Sequence, residues 1–361
     1  MEHRNPLLHG ESDSKFITIG EIMLRLTPPN YEKIRMTTSF EASYGGSEAN
    51  IALALANLGV DSTFFSVVPN NSLGKSAIRM LRSNDVHCTP VILSTPEQTP
   101  THRLGSYYLE TGYGIRASKV IYDRRHSAIT EFDFSTVDIN ALLDGFTWLH
   151  LSGITPALGP NCRRLVMDCL RVAREKGLTV SFDGNFRSTL WSWEEARDFC
   201  TECLPYVDVL LGIEPYHLWK DELDPTKGDI KDDIPYRPSY EQQDDVFQAF
   251  IRRYPNIKCI ARHVRYAHSG SENSLKAFMW YEGHTFESKL FTFNILDRVS
   301  GVVAFDSGLS YAMFRDYKPM DMLNFAVASS VLKHTIRGDA NITDDASSIH
   351  NLMNMNYDIK R

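Results

Sequence analysis

Apolar and polar positions along the chain follow two periods in turn, and these periods predict alternating strands and helices. Short apolar runs predict strands at residues 16–26, 61–68, 148–152, 178–183, 207–211, 257–262 and 274–281. Segments with apolar positions at helical spacing lie between several of them, at residues 51–58, 72–83 and 160–176. Strands separated by helices are typical of a mainly parallel sheet with helices on both faces. The pattern therefore predicts an α/β fold that binds ligands at the carboxyl ends of its strands.

The stretch from residue 289 to 314 holds a strand pattern, a turn of small residues and then a helix pattern. Apolar residues 290–296 predict the strand, and residues 302–314 have helical spacing. Ser300 and Gly301 lie in the turn between them. The first turn of a helix carries unpaired N–H groups and partial positive charge, so this turn could attract phosphate or a developing anion. A plain buried strand–helix turn is the alternative interpretation.

Three segments depart from the alternation. The polar N-terminus, residues 1–15, lacks the apolar core of a secretory signal and is expected to be a flexible tail. Residues 102–127 are rich in Tyr, Gly and Arg, and they predict a small β-structure outside the main sheet. Residues 220–245 are acidic, contain prolines and lack periodicity, which indicates a surface insertion. Residues 346–361 are expected to form a C-terminal tail.

Charge and cysteine content narrow the class of protein. The formal net charge of −7 argues against a nucleic-acid partner, since binding phosphate backbones needs clustered Lys and Arg. No apolar run approaches the ~20 residues of a membrane span. Among the six cysteines, Cys200 and Cys203 have CxxC spacing, but no second pair or nearby His completes a zinc site. We expect reduced thiols, no bound metal and a cytoplasmic protein.

Two glycine-bearing turns resemble the two signatures of the PfkB (ribokinase-like) carbohydrate kinases. The first reads Gly45-Gly46-x-x-x-Asn50-x-Ala52-x-Ala54-x-Ala56-x-Leu58-Gly59, and the second contains Ser300-Gly301. Further stretches are similar to 2-keto-3-deoxygluconate kinases: residues 20–26, 182–187, 190–191 and 297–299, with Arg265, His268, Ser269, Asn273, Lys333, His334, Thr335, Gly338 and Asp339. The resemblance covers residues 16–345. It implies a three-layer α/β/α domain with a small β-lid formed by residues 23–44 and 103–126.

The resemblance also implies a reaction, which is transfer of the ATP γ-phosphate, with Mg²⁺, to a hydroxyl of a sugar acid. It assigns substrate contacts to Gly46, Asn50, Tyr108, Tyr122 and Arg187, where the forked guanidinium of Arg187 would hold the substrate carboxylate. It assigns nucleotide contacts to Asn185, Arg265, Asn273 and Asp297. By analogy it also implies a homo-oligomer that pairs through the lid.

Each of these assignments has a structural alternative. Arg187 could be a surface ion-pair partner, Asn50 a helix cap, and Asp297 a brace for its turn. The tyrosines could belong to the core or to an interface.

The second signature departs from the family pattern at its most important position. In this kinase group it reads approximately Asp-Arg-x-Gly-Gly-Gly-Asp-Ala-Phe-x-x-Gly, and Asp297, Arg298, Ala304, Phe305 and Gly308 fix the register. The anion-hole turn is then Gly301 and Val302, and the catalytic Asp is replaced by Val303. Valine cannot accept a proton, and a β-branched side chain crowds a backbone that glycine would leave open. Asp306, one helical turn later, is a possible substitute base that is set back from the turn.

Three functions follow from these observations. The first is a sugar-acid kinase with weak or lost activity. The second is an inactive relative that binds a sugar acid or nucleotide and serves a regulatory or scaffold role. The third is a structural oligomer held together by its lid, with no small-molecule ligand.

Overall fold

The computed structural model describes residues 15–216, 239–343 and 345–356. The predicted N-terminal tail, except Lys15, lies outside the described residues, as do residues 220–238 of the predicted insertion. The last residues of that predicted insertion open a helix at Tyr240, where Ser239 and Gln242 form a capping box. The first turns of this helix contain two glutamines and two aspartates, so the sequence shows no apolar positions at helical spacing there.

The described residues form fifteen strands. They are β1 (Lys15–Ile19), β2 (Met23–Thr27), β3 (Glu41–Gly45), β4 (Asp61–Phe65), β5 (Val67–Pro69), β6 (Ile92–Ser94), β7 (Ser106–Glu110), β8 (Lys119–Asp123), β9 (Trp148–Ser152), β10 (Thr179–Asp183), β11 (Val209–Leu211), β12 (Cys259–Ala267), β13 (Glu272–Tyr281), β14 (His284–Glu287) and β15 (Phe291–Asn294). The predicted strand over residues 16–26 is two strands, because the chain leaves the sheet at Gly20. β2 then pairs elsewhere, with β3 and β7.

Eleven α-helices connect these strands in the described part of the chain. They are α1 (Ser47–Asn57), α2 (Ser72–Arg82), α3 (Ala128–Glu131), α4 (Ile139–Leu142), α5 (Ile154–Ala157), α6 (Pro160–Lys176), α7 (Trp193–Cys203), α8 (Tyr240–Arg253), α9 (Gly301–Phe314), α10 (Pro319–Lys333) and α11 (Ala346–Met353). Short 3-10 helices occupy Pro29–Tyr31, Phe134–Thr136 and Leu204–Tyr206. The predicted C-terminal tail begins with α11, which docks through the fully buried Ile349 rather than trailing from the domain.

The main sheet has the strand order β14-β13-β12-β11-β10-β9-β1-β4, with β15 paired to β13. Pairs from β4 across to β12 are parallel, whereas β13, β14 and β15 pair antiparallel at one edge. Strand alternation sends Ile17 and Leu149 into one core cluster and Phe16 and Trp148 into another. Each face of the sheet therefore buries its own helical layer, and the predicted three-layer α/β/α fold is confirmed.

A second sheet stands apart from the main one. Its strand order is β3-β2-β7-β8, so the predicted lid segments lie together in one four-stranded layer. Because side chains alternate along β7, Tyr107 is buried toward the main domain while Tyr108 faces the other way and contacts Phe40. We call this four-stranded layer the lid.

Helix α9 differs from the surface helices around it. Its side chains are apolar almost all round, and residues 303–313 are all buried. A helix of this composition packs in the centre of a domain. It lies against α10 and α1, so its N-terminus is held rigidly at the carboxyl ends of the parallel strands.

Candidate active site

A cavity, here called the lid cavity, lies between the lid and the carboxyl ends of the parallel strands. Its wall includes Gly46 and Asn50 from α1, Tyr107 and Tyr122 from the lid, and Val303 from α9. Arg124, Asn185 and Arg187 line it as well. Residues from five separate parts of the chain therefore converge on one enclosed space.

The start of α1 brings the two glycine-bearing turns together. Gly46 approaches the carbonyl oxygen of Glu21 so closely that a Cβ atom would overlap it, so only glycine fits. The Asn50 Oδ1 atom accepts from the Gly46 N–H at 3.4 Å, and its Nδ2 atom donates to the Ser300 hydroxyl at 2.9 Å. Asn50 is inside the helix rather than at its N-cap, which is Gly46. It joins the first turn to the second.

The start of α9 forms the mouth of the lid cavity. Ser300, the N-cap residue, has a left-handed backbone with φ 66° and makes no side-chain cap. The first N–H groups of the helix therefore receive no side-chain acceptor from Ser300. A Cβ atom on Gly301 would overlap the His334 imidazole, which explains the glycine at that position. Val302 and Val303 follow, and both line the cavity.

Val303 is 7% exposed and packs into the core cluster of α9 and α10. The structure thus puts a hydrocarbon side chain at the position where the family resemblance expects a carboxylate. A valine side chain offers no proton acceptor at this position.

Asp306 does not compensate for Val303. Its carboxyl group is buried inside the protein, is hydrogen-bonded to Asp183 and lines neither the lid cavity nor the cavity beside it. Burial raises the pKa of Asp183 to about 6, and burial together with the adjacent Asp183 raises the pKa of Asp306. Asp306 is therefore buried against Asp183 and does not reach the mouth of the lid cavity.

Other carboxyl groups reach the lid cavity, but each has a partner. Among the described residues they are Glu21, Glu48 and Asp339. Glu21 accepts from Arg124 and from the Ser127 hydroxyl at 2.5 Å, and Asp339 accepts from Arg25 at 2.5 Å and from Tyr107. Glu48 accepts from Ser152 at 2.6 Å and Thr155 at 2.9 Å, and burial raises its pKa. These groups fix the cavity wall.

Two lid tyrosines, Tyr107 and Tyr122, line the lid cavity. Tyr122 lines the lid cavity as expected, whereas Tyr108 does not. Its neighbour Tyr107 lines the cavity instead and packs on Tyr122, with ring centroids 5.7 Å apart. In a strand a one-residue error moves a side chain to the opposite face.

Two arginines supply positive charge to this cavity. Arg187 follows β10, is exposed, and donates to the Phe186 carbonyl oxygen at 3.0 Å. Arg124 pairs with Glu21 and lies 5.7 Å from the Tyr122 ring centroid. Arg124 was missed in the sequence, although it stands two residues after Tyr122 and so belongs to the same strand face.

A neighbouring cavity, here called the arginine cavity, shares part of this wall. Arg187, Arg265 and Arg298 line it, together with His263 and His334. Burial lowers the pKa of His263 to about 3 and that of His334 to about 4, so both imidazoles are neutral near pH 7. Arg187, Val299, Ser300 and Val302 line both cavities, which therefore meet at the start of α9.

The remaining predicted nucleotide contacts lie elsewhere. Asn185 lines the lid cavity, where its Nδ2 atom donates to Ser47 at 3.1 Å. Asn273 is buried in β13 and lines neither cavity. Asp297 is buried and accepts from Arg25 at 2.5 Å, from the Val299 N–H at 3.1 Å and from the Gly338 N–H at 3.0 Å. These contacts favour the alternative role of Asp297 as a brace for the turn.

Comparison with known proteins decides the family. Residues 13–215 match the model of the pfkB family carbohydrate kinases. The chain belongs to this family. A 2-dehydro-3-deoxygalactonokinase from Haloferax volcanii is 30% identical over 92% of this chain and 95% of its own length. A 2-dehydro-3-deoxygluconokinase structure from Thermotoga maritima has a TM-score of 0.85 at 35% identity, over 94% of this chain and 99% of that one.

The PfkB match stops before α9, so the divergent second signature lies outside it. An Escherichia coli structure solved with ATP and Mg²⁺ shares the fold alone, with a TM-score of 0.75 at 18% identity over 95% of this chain and 99% of that chain. No helix among the described residues is long and apolar enough to cross a membrane.

The arginine cavity fits the nucleotide of a PfkB kinase. Three guanidinium groups and an uncapped helix start suit a polyphosphate chain. Within the described ranges no group of three His, Cys, Asp or Glu side chains could hold a metal ion. A Mg²⁺ ion would therefore come bound to the nucleotide phosphates, as this ion commonly does.

Proposed function

We propose that this PfkB protein binds a 2-dehydro-3-deoxy sugar acid in the lid cavity and ATP in the arginine cavity, and that phosphoryl transfer between them is weak or lost. The observation that carries the proposal is Val303, which lines the lid cavity next to Val302, a residue that lines both cavities. The rest of the sugar-binding wall is polar and ordered by hydrogen bonds, which supports retained binding.

The acid class of the substrate follows from the cations of the lid cavity. Arg187 and Arg124 present planar N–H groups that suit a carboxylate. Asn50 lines the same cavity, and its amide, with one partner in the chain for Oδ1 and one for Nδ2, keeps one lone pair and one N–H for a sugar hydroxyl. The two similar proteins named above act on gluconate and galactonate derivatives, and these epimers are the first ligands to test.

The mechanism fails at the proton transfer. When ATP with Mg²⁺ is bound, it supplies the phosphoryl group and neutralises part of its charge. The chain's N–H groups at the start of α9, with Arg298 beside them, would stabilise the charge that develops there. Val303 cannot accept the proton of the attacking hydroxyl, and the carboxyl groups nearby are paired or buried.

The same observation favours a second function, in which the protein is a sugar-acid or nucleotide-binding pseudokinase. A cavity that keeps its polar lining residues but has no proton acceptor at Val303 is suited to a regulatory or scaffold protein that binds a ligand without converting it. Such a protein would act through the binding of its ligand rather than through the formation of a product.

We also propose that the protein is a homo-oligomer that pairs through the outer face of the lid. That face carries Ile121 and Phe40, which are 43% and 39% exposed, with Tyr108 against Phe40. Exposed apolar groups on a sheet face suit burial against a second copy.

The six cysteines are all free and buried, which agrees with a reducing cytoplasm.

Thermal melting with separate ligands tests the binding half of the proposal. A ligand at about 100 times its Kd stabilises the folded state by about 2.7 kcal/mol. We expect a higher Tm with 2-dehydro-3-deoxygluconate or 2-dehydro-3-deoxygalactonate, and no change with glucose, which lacks the carboxylate. Unchanged melting with both acids would overturn sugar-acid binding. Kinase-like turnover would leave binding in place and overturn the loss of transfer.

A further inference from the structure

We infer that the preferred ligand is the phosphate monoester of the sugar acid, so that the protein binds the product of the family reaction more tightly than its substrate. This inference rests on the proposed function, because the sugar-acid part of the ligand would occupy the lid cavity. Its phosphate would lie at the mouth, where the two cavities meet.

The charge balance at the mouth carries the inference. In an active family member the resemblance places an Asp at the position of Val303, and that carboxylate would repel a phosphate dianion beside it. Here the side chain is uncharged and Val303 is nearly buried. The carboxyl groups that line the lid cavity, Glu21, Glu48 and Asp339, already accept hydrogen bonds from the chain, and Asp306 lines neither cavity.

Positive charge is present at the same place. Arg298 lines the arginine cavity beside Ser300 and Gly301, and it is not one of the residues proposed to hold the carboxylate. The 14-residue helix α9 points its N-terminus to the mouth without a side-chain cap. The mouth therefore combines positive charge and a helix dipole, while the carboxyl groups of the lid cavity are already hydrogen-bonded within the chain, which favours an anion that stays bound.

An unpaired polar group points to the sugar part of the ligand. The Asn185 Oδ1 atom is buried and has no hydrogen-bond partner, and the residue, 9% exposed, lines the lid cavity. A buried amide oxygen without a partner is costly, and a ligand hydroxyl would satisfy it. Asn185 thus indicates a hydroxylated ligand in the lid cavity, rather than a simple anion.

Titration calorimetry on the full chain would test this inference with three probes: 2-dehydro-3-deoxygluconate, its phosphate monoester at the terminal hydroxyl, and inorganic phosphate. We expect the monoester to bind about tenfold or more tightly than the sugar acid, because charge-assisted hydrogen bonds are the strong ones. Inorganic phosphate alone should bind far more weakly than the monoester.

Variants at one position separate charge from shape. Val303→Asp should abolish the preference for the monoester, whereas Val303→Asn, of similar size and without charge, should keep it. Melting of both variants shows whether they fold, and the natural chain alone still tests the preference if either does not.

Three results would overturn the inference. If the sugar acid binds at least as tightly as the monoester, the inference is wrong, whereas the proposed function still holds. Equal binding of inorganic phosphate and monoester would show a general anion site. If no probe binds, the proposed function fails as well.

Discussion

The two ends of the lid cavity differ in how they are built. At the sugar end, charged groups are paired and ordered, as in the Glu21–Arg124 pair and the Arg25–Asp339 pair. At the mouth, Val302 and Val303 replace the glycine and carboxylate that the resemblance expects. In the proposed function, binding and phosphoryl transfer depend on different parts of one cavity, so the chain would keep one while it loses the other.

The largest effect is expected from restoring the mouth. Val303→Asp combined with Val302→Gly returns a base and an open backbone to the start of α9, and general-base catalysis contributes ~10²–10⁴-fold. We expect turnover of a sugar acid with ATP to rise by at least about 100-fold over the natural chain, measured by coupled ADP release.

Val303→Asn combined with Val302→Gly is the matched control, because it opens the backbone without adding a base. A similar rise in both double variants would show that the crowded backbone, rather than the missing carboxylate, limits the rate. No rise in either would place a second defect in the nucleotide cavity.

The paired wall can be broken at Arg25. Arg25→Met leaves Asp297 and Asp339 buried without their cation, and breaking a buried pair costs about 3–5 kcal/mol of unfolding free energy. Urea unfolding measures the loss. Arg337→Met is the control, because its pair with Glu41 spans 3.8 Å at an exposed site and should contribute about 0–1 kcal/mol.

Recognition of the acid can be weakened without unfolding the wall. Arg187 is exposed, so Arg187→Met should leave stability nearly unchanged and reduce sugar-acid affinity by roughly 10- to 100-fold. Calorimetry with the gluconate derivative checks this, and Arg164→Met on the exposed side of α6 is the control. If both variants bind the sugar acid with equal affinity, Arg187 is a surface residue that does not contact the ligand.

The smallest effect concerns the Asp183–Asp306 pair, and its sign depends on pH. Folding raises the pKa of Asp183 from 3.8 to about 6, so the folded state binds this proton more tightly than the unfolded state. The contribution of the pair to the free energy of unfolding is therefore fully present below about pH 4 and is lost as pH rises through about 6. Asp306→Asn removes one acid and keeps a hydrogen-bond donor. We expect about 1–2 kcal/mol of added stability at pH 8 and little difference at pH 4, measured by thermal melting. A pH-independent difference would contradict the raised carboxyl pKa values of this pair.

Local features of the fold could be read from the sequence because they depend on short spacings. Helix α6 was predicted from residue 160 to 176, where Pro160 opens it and Gly177 ends it with φ 73°. A capping box formed by Ser192 and Glu195 opens α7 in the same local way. In both cases the determinants lie within a few residues of the helix end.

Contacts between distant residues could not be predicted in this way. Asn50 and Ser300 are 250 positions apart, and Arg25 and Asp339 are 314 apart. Arg25, which binds Asp339, also donates to Asp297 and so explains why Asp297 braces its turn. Asp306 is buried because it lies against Asp183. Tyr107 faces the lid cavity and Tyr108 faces away from it, and which face each takes depends on the pairing of β7 with the neighbouring lid strands.

One measurement tests the central claim most directly: the rate of phosphoryl transfer by the natural chain with saturating ATP, Mg²⁺ and either sugar acid. The loss of a base at Val303 predicts a rate at least about 100-fold below the ~1–100 s⁻¹ that is typical of kinases. A rate within the typical range would contradict the account, since it would require a proton acceptor that the mouth of the lid cavity does not provide.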